Sequence, residues 1–160
     1  MKRIFIFAAL LISLTGFTQS FTLNELLRLS KYNEDNFDTY VTNKGYIFDL
    51  VDDDEYSSSK GYTFLVNGYK TYFVTSLSDK SMTRYNWISF QTPSIKTYLT
   101  LKNDLKANGY KIYDQGPYKG NYFLKYKKGN SYVSLWSTSS TSEYTRKTTV
   151  DYEITVWSEY

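Results

Sequence analysis

Leu23, Leu26 and Leu27 recur at helical spacing behind Thr22-Leu23-Asn24-Glu25. That tetrad reads as a capping box, Thr22 taking an orphan amide and Glu25 reaching back. Asn33 to Asn36 interrupts, and Phe37, Tyr40 and Val41 resume the spacing up to Gly45. The pattern predicts a helix–turn–helix pair over 23–44. The period then drops to two. Tyr46 to Leu50, Tyr62 to Val66, Tyr69 to Leu77 and Arg84 to Gln91 each alternate as strands do, and Asn67-Gly68 between the second and third is a strong hairpin signal. Ser57-Ser58-Ser59-Lys60-Gly61 has the composition of a loop, and Ser78 to Thr83 that of a polar turn.

The order then starts again. Thr92-Pro93-Ser94 opens a second helical stretch, with Pro93 suited to a first turn and Ile95, Tyr98, Leu99 and Leu105 forming its stripe. Four more strands are predicted at Tyr110 to Tyr113, Asn121 to Tyr126, Ser131 to Trp136 and Thr149 to Trp157, with a turn at Lys128-Gly129-Asn130. The Ser/Thr-rich run from Ser137 to Thr149 reads as a long connection. Asn-Lys-Gly-Tyr at 43–46 returns as Ala-Asn-Gly-Tyr at 107–110, 64 residues on. Glycine just past a helix takes the left-handed conformation that satisfies the last carbonyls, and the aromatic after it opens a strand. The expected fold is therefore α+β: a tandem repeat, 22–92 and 93–160, of a helix or helix pair followed by four antiparallel strands, with the helices on one face of the sheet. This element order resembles that of the β-lactamase-inhibitor-protein family. The resemblance covers order alone, so no inhibitory residue is carried over. A saddle like that of TATA-binding proteins has similar elements, but its repeat begins with a strand.

The first residues add an address. Met1-Lys2-Arg3, an uncharged apolar run from Ile4 and the small residues up to Ser20 read as a secretory signal peptide, 1–18, leaving 19–160 as one domain. The apolar run is too short to span a bilayer, which takes about 20 residues. The leader resembles those of exported proteins of Gram-negative bacteria, so periplasm or secretion is expected. With no Cys there is no lipid anchor on that residue. Of 19 basic and 16 acidic residues, two of the basic ones leave with the leader, which lowers the formal charge from +3 to +1. A near-neutral chain offers no basic face to nucleic acid.

Catalytic chemistry is sparse. Without His or Cys the commonest base, the thiol nucleophile and the usual transition-metal ligands are missing. Neither an enzymatic activity nor a cofactor or metal is expected, the alternative being a small enzyme with a carboxylate-based site. Ser57-Ser58-Ser59-Lys60 matches the Ser-x-x-Lys pattern of penicillin-binding proteins without that group's further elements. Asp49 and Asp52 to Glu55 lack EF-hand spacing and read better as a charged strand end. Glu143 and Glu153 have no neighbours in sequence that mark them as a glycosidic pair.

What stands out is aromatic content, 18 Tyr, 10 Phe and 3 Trp. Alternation puts Val150, Tyr152, Ile154 and Val156 inward on the last strand, with Val133 and Leu135 and with Ile88 and Phe90 on their strands. Phe73 and Leu77 are taken as inward too. Tyr72, Tyr85, Trp87, Tyr132, Trp136 and Trp157 then face outward and are the candidate binding residues. Two readings stand: a cross-strand ladder that stabilises the sheet, or an interaction face. The interaction reading has two forms, a module for a protein partner or one for a glycan, with rings stacking on sugars.

Overall fold

The computed structural model describes residues 20–66, 69–79 and 86–158. The expected leader, the Asn67-Gly68 turn and Tyr85 lie outside the described residues. Those described form an α+β fold with three helices and one eight-stranded antiparallel sheet.

Local chemistry sets each helix end. In α1 (Leu23–Leu29) the Thr22 hydroxyl accepts from the Glu25 amide at 3.2 Å while the Glu25 carboxylate accepts from the Thr22 amide at 2.7 Å. Helix α2 (Glu34–Asn43) is capped by the Asn33 side chain on the Asn36 amide at 3.0 Å. In α3 (Ile95–Ala107) Ser94, not Pro93, is the cap, accepting from the Thr97 amide at 3.2 Å; Pro93 precedes it. Helices α2 and α3 stop alike. Gly45 and Gly109 adopt φ of +89° and +79°, and the amides of Tyr46 and Tyr110 reach back to the carbonyls of Val41 and Leu105 at 3.1 and 3.0 Å. This six-to-one closure satisfies carbonyls that the helix leaves open.

The strands are β1 (Ile47–Asp53), β2 (Ser57–Val66), β3 (Tyr69–Asp79), β4 (Asn86–Thr92), β5 (Lys111–Tyr118), β6 (Asn121–Lys128), β7 (Ser131–Thr141) and β8 (Thr148–Ser158). Their order across the sheet is β1-β2-β3-β4-β8-β7-β6-β5. Two four-stranded meanders therefore meet at their last strands, where Phe90 pairs with Ile154. Successive strand residues point to opposite sides, so the pairing defines a core face. Tyr62, Val74, Phe90, Ile154, Leu135 and Leu124 form one buried row across six strands. Helical and flanking rings land on it or beside it: Phe21 on Phe90 at 5.1 Å, Phe37 on Tyr62 at 5.8 Å, and Tyr98 on Tyr152 at 4.6 Å.

Several expectations change. Ser57 to Gly61 is ladder, not loop, paired with both β1 and β3. Gly61 is needed there, because a Cβ would stand 2.7 Å from the Phe73 ring. Ser137 to Thr141 extends β7 and Thr148 begins β8, so the connection shrinks to a short turn whose base is tied by hydroxyl pairs Ser140–Thr149 and Thr141–Thr148, both at 3.0 Å. Backbone pairing of two adjacent strands overrides a Ser/Thr composition that by itself favours turns. Helix α3 buries Tyr98, Leu101 and Leu105, whereas Ile95 and Leu99 are exposed.

A candidate binding face opposite the core

The side of the sheet away from the core rows carries three cross-strand bands. The first joins Leu77 and Trp87 on β3 and β4 to Trp157, Tyr132 and Lys127 on β8, β7 and β6. Trp87 and Trp157 lie beside the Ile88–Val156 pair on adjacent strands. The Tyr132 and Trp157 rings are parallel within 7° at 5.4 Å, Tyr113 meets Tyr132 edge-on at 6.0 Å, and the Lys127 ammonium sits 4.6 Å from the Tyr132 ring centre. With those neighbours Tyr132 is only 8% exposed.

The middle band is polar: Thr75, Ser89, Thr155, Ser134 and Lys125 in cross-strand register. Lys125 is paired with Asp114 at 3.0 Å. The third band runs through Phe73, Gln91, Glu153, Trp136 and Phe123. The Glu153 carboxylate accepts from the Ser89 hydroxyl at 2.7 Å and the Thr155 hydroxyl at 3.2 Å, and the Trp136 indole N–H donates to Ser134 Oγ at 3.2 Å. Phe123 lies 5.1 Å from Trp136 and Tyr118 lies 6.2 Å from it. A hollow of about 340 Å³ closes this band, lined by Phe73, Gln91, Thr63 and Asp151 among others. Tyr132 and Trp136 are four residues apart on one strand, so the two aromatic bands stand about 13 Å from each other.

Of the residues singled out from sequence, Trp87, Tyr132 and Trp157 meet in the first band and Trp136 anchors the third. Tyr72 does not join them. It shares the parity of buried Val74, packs against the core cluster and stacks on Phe90 at 6.2 Å within 6°. The parity of β3 is reversed from expectation: Phe73 and Leu77 face away from the core because Val74, the smaller residue, is the one paired between Tyr62 and Phe90. Tyr85 lies outside the described residues. Sequence reasoning passed over Phe123 and Gln91; it turned Glu153 outward but did not count it in the candidate face. In β6, alternation anchored on Lys125 and Lys127 as solvent-facing would have turned Phe123 outward with them.

The other polar clusters are tied into the helical layer. Tyr40 donates to Glu25 at 2.5 Å, Lys44 pairs with Glu25 at 3.1 Å, and Arg28 lies 4.8 Å from the Tyr40 ring centre. Burial pushes the Glu25 carboxyl up, but donors from the Thr22 amide, the Tyr40 and Thr22 hydroxyls and Lys44 outweigh it and bring the pKa down to about 2. Burial, then the bond to Glu25, raises Tyr40 to about 12. Lys60 pairs with Glu34 and, at 3.1 Å, with Asp38, and the Glu34 bond above all raises its pKa. Lys60 is therefore a held cation, and three positions along a strand put it on the opposite side from Ser57, which bonds Asp54. The Ser-x-x-Lys pattern does not form a nucleophile–base pair. Asp54 itself closes the β1–β2 turn by accepting from the Tyr56 and Ser57 amides at 2.7 and 2.6 Å. Among the described residues no group of three or more acidic, His or Cys side chains is placed to hold a metal ion, and no helix is long and apolar enough to cross a membrane.

Comparison with protein-family models, with curated proteins and with solved structures finds no match to this chain. The likeness in element order to β-lactamase-inhibitor proteins brings neither residues nor an activity with it.

Proposed function

We propose that this chain is an exported, non-enzymatic interaction module that docks a partner protein on the banded face of its sheet. In this reading two sister units, 22–92 and 93–160, each contribute one meander, and their helices cover the core face alone. Support for the sister units comes from a constant offset of 64 residues. It relates the buried pairs Phe37 and Leu101, Val41 and Leu105, Tyr46 and Tyr110, and Tyr62 and Tyr126, and it also relates Gly45 to Gly109. Phe90 pairs with Ile154, its own counterpart, where a two-fold axis between the halves would pass.

The observation that carries the functional reading is the clustering of Trp87, Trp136, Trp157 and Tyr132 with Phe73 and Phe123 on the face opposite the core. Large rings beside hydroxyls and a hollow for an inserted side chain are what a protein interface uses as anchors. A glycan would need open ring faces, and the Tyr132 ring lies between Trp157 and the Lys127 ammonium.

The test is a triple variant, Trp87→Ala, Trp136→Ala and Trp157→Ala, used as bait beside the wild type on an envelope fraction. A partner held by the wild type and lost from a variant with a retained cooperative melt is the expected result. A variant that no longer folds would make the rings structural and end the proposal. A change in tryptophan emission on titration with polysaccharide or peptidoglycan fragments would redirect it to glycans.

A further inference from the structure

The two outer strands of the sheet are unlike the six between them. Among the described residues β1 pairs only with β2, and β5 only with β6, so within that set each leaves one row of backbone donors and acceptors without a ladder partner. Large apolar side chains also stand exposed on them: Ile47, Phe48, Leu50 and Val51 on β1 at 41–56%, and Ile112, Tyr113 and Tyr118 on β5 at 43–52%. The ends that would meet differ in charge, and Asp114, the one acid of β5, is held by Lys125 at 3.0 Å. Strand β1 carries Asp49, Asp52 and Asp53 and runs into Asp54 and Glu55 with no base. Strand β5 begins with Lys111, paired across to Lys127, with Lys128 beside it.

We propose that these two edges join, β1 of one copy adding to β5 of the next, so that the chain assembles head to tail through a continuous antiparallel sheet. Eight strands of alternating direction leave β1 and β5 running opposite ways. A second copy displaced along the sheet therefore brings its β1 antiparallel to β5 with core face continuing core face. Antiparallel pairing sets the C-terminal end of β1, Asp52 and Asp53, beside the N-terminal end of β5, where Lys111 stands with Lys128 near it. Opposite charges across strands favour pairing. Joining β1 to β1 of a second copy instead sets Asp52 and Asp53 against Ile47 and Phe48, carboxylate against hydrocarbon. Pro117, which lacks an N–H, confines the contact to the Lys111 to Gln115 half of β5. A head-to-tail contact of this kind does not close on itself at two copies.

Sedimentation of the purified protein over a range of concentration and salt tests this. The wild type should grow past a dimer as concentration rises, and added salt should shift it back toward the monomer. Val51→Lys on β1 and Ile112→Glu on β5 should each abolish growth, yet an equimolar mixture of the two should form a one-to-one dimer, since each retains the edge the other lacks. Amide-exchange protection in the assembled wild type, expected only in β1 and β5, gives a readout that needs no variant. A wild type monomeric at every concentration would overturn the proposal. So would a closed dimer sensitive to Val51→Lys alone, or a mixture that stays monomeric.

Discussion

Strand β8 shows two different solutions along one backbone. Toward the core it presents Ile154 and Val156, both without measurable exposure and aligned with Phe90, Ile88, Val133 and Leu135. Toward the other side it presents Glu153, Thr155 and Trp157, half-buried, with Glu153 tied to β4 by the Ser89 hydroxyl and Trp157 tied to β7 by stacking on Tyr132. The ladder is shared, so the difference lies in what each side chain loses if removed. On the core side a deletion leaves a cavity that the packing cannot refill. On the banded side water can enter. In the proposed reading stability is concentrated on the first side and recognition on the second.

Phe90→Ala should break this contrast most severely. The ring is fully buried between Phe21, Tyr72 and Ile154, so denaturant melts should show a loss of about 3–5 kcal/mol. Gly61→Ala probes the other side. Its new methyl would push against the end of the Phe73 ring and the Leu50 side chain; a cost of about 1 kcal/mol, with reduced partner affinity through the displaced Phe73, is expected.

Acid should act through the helical layer. The folded pKa of Glu25 lies at about 2, below its unfolded value. Its contribution is thus fully present above the unfolded carboxylate range and disappears as pH falls through that range toward 2. Melting temperature measured between pH 6 and pH 2 should fall less steeply in Glu25→Gln than in the wild type. The smallest effect belongs to Trp136→Ala. Its loss of the cross-strand Phe123 contact should cost about 0.2–1 kcal/mol in a denaturant melt, far below the Phe90 value.

Much of the architecture could be read from local chemistry. Thr22 and Glu25, the two helix-ending glycines and the turn at Gly129 act through neighbours close in sequence, so their residues declare them. Strand parity was legible where one side is plainly polar, as in β8. It was lost in β3, where Tyr72, Phe73 and Val74 are all apolar and only pairing with β2 and β4 decides which one turns inward. Ser57 to Gly61 and Ser137 to Thr141 were unreadable as strands for a related reason: nothing in their own composition favours a ladder, and the adjacent strands impose it. For the same reason Phe123 and Gln91 join the candidate face only when strands distant in sequence are laid side by side.

The chain contains three tryptophans, and all are assigned to the face away from the core, so intrinsic fluorescence reports that face alone. Acrylamide quenching of the isolated protein is the direct test. The account predicts emission between that of a buried and a free indole, quenched by acrylamide in the free protein and protected when a partner binds. Blue-shifted emission resistant to quencher in the free protein would place the indoles in a covered interior and contradict it.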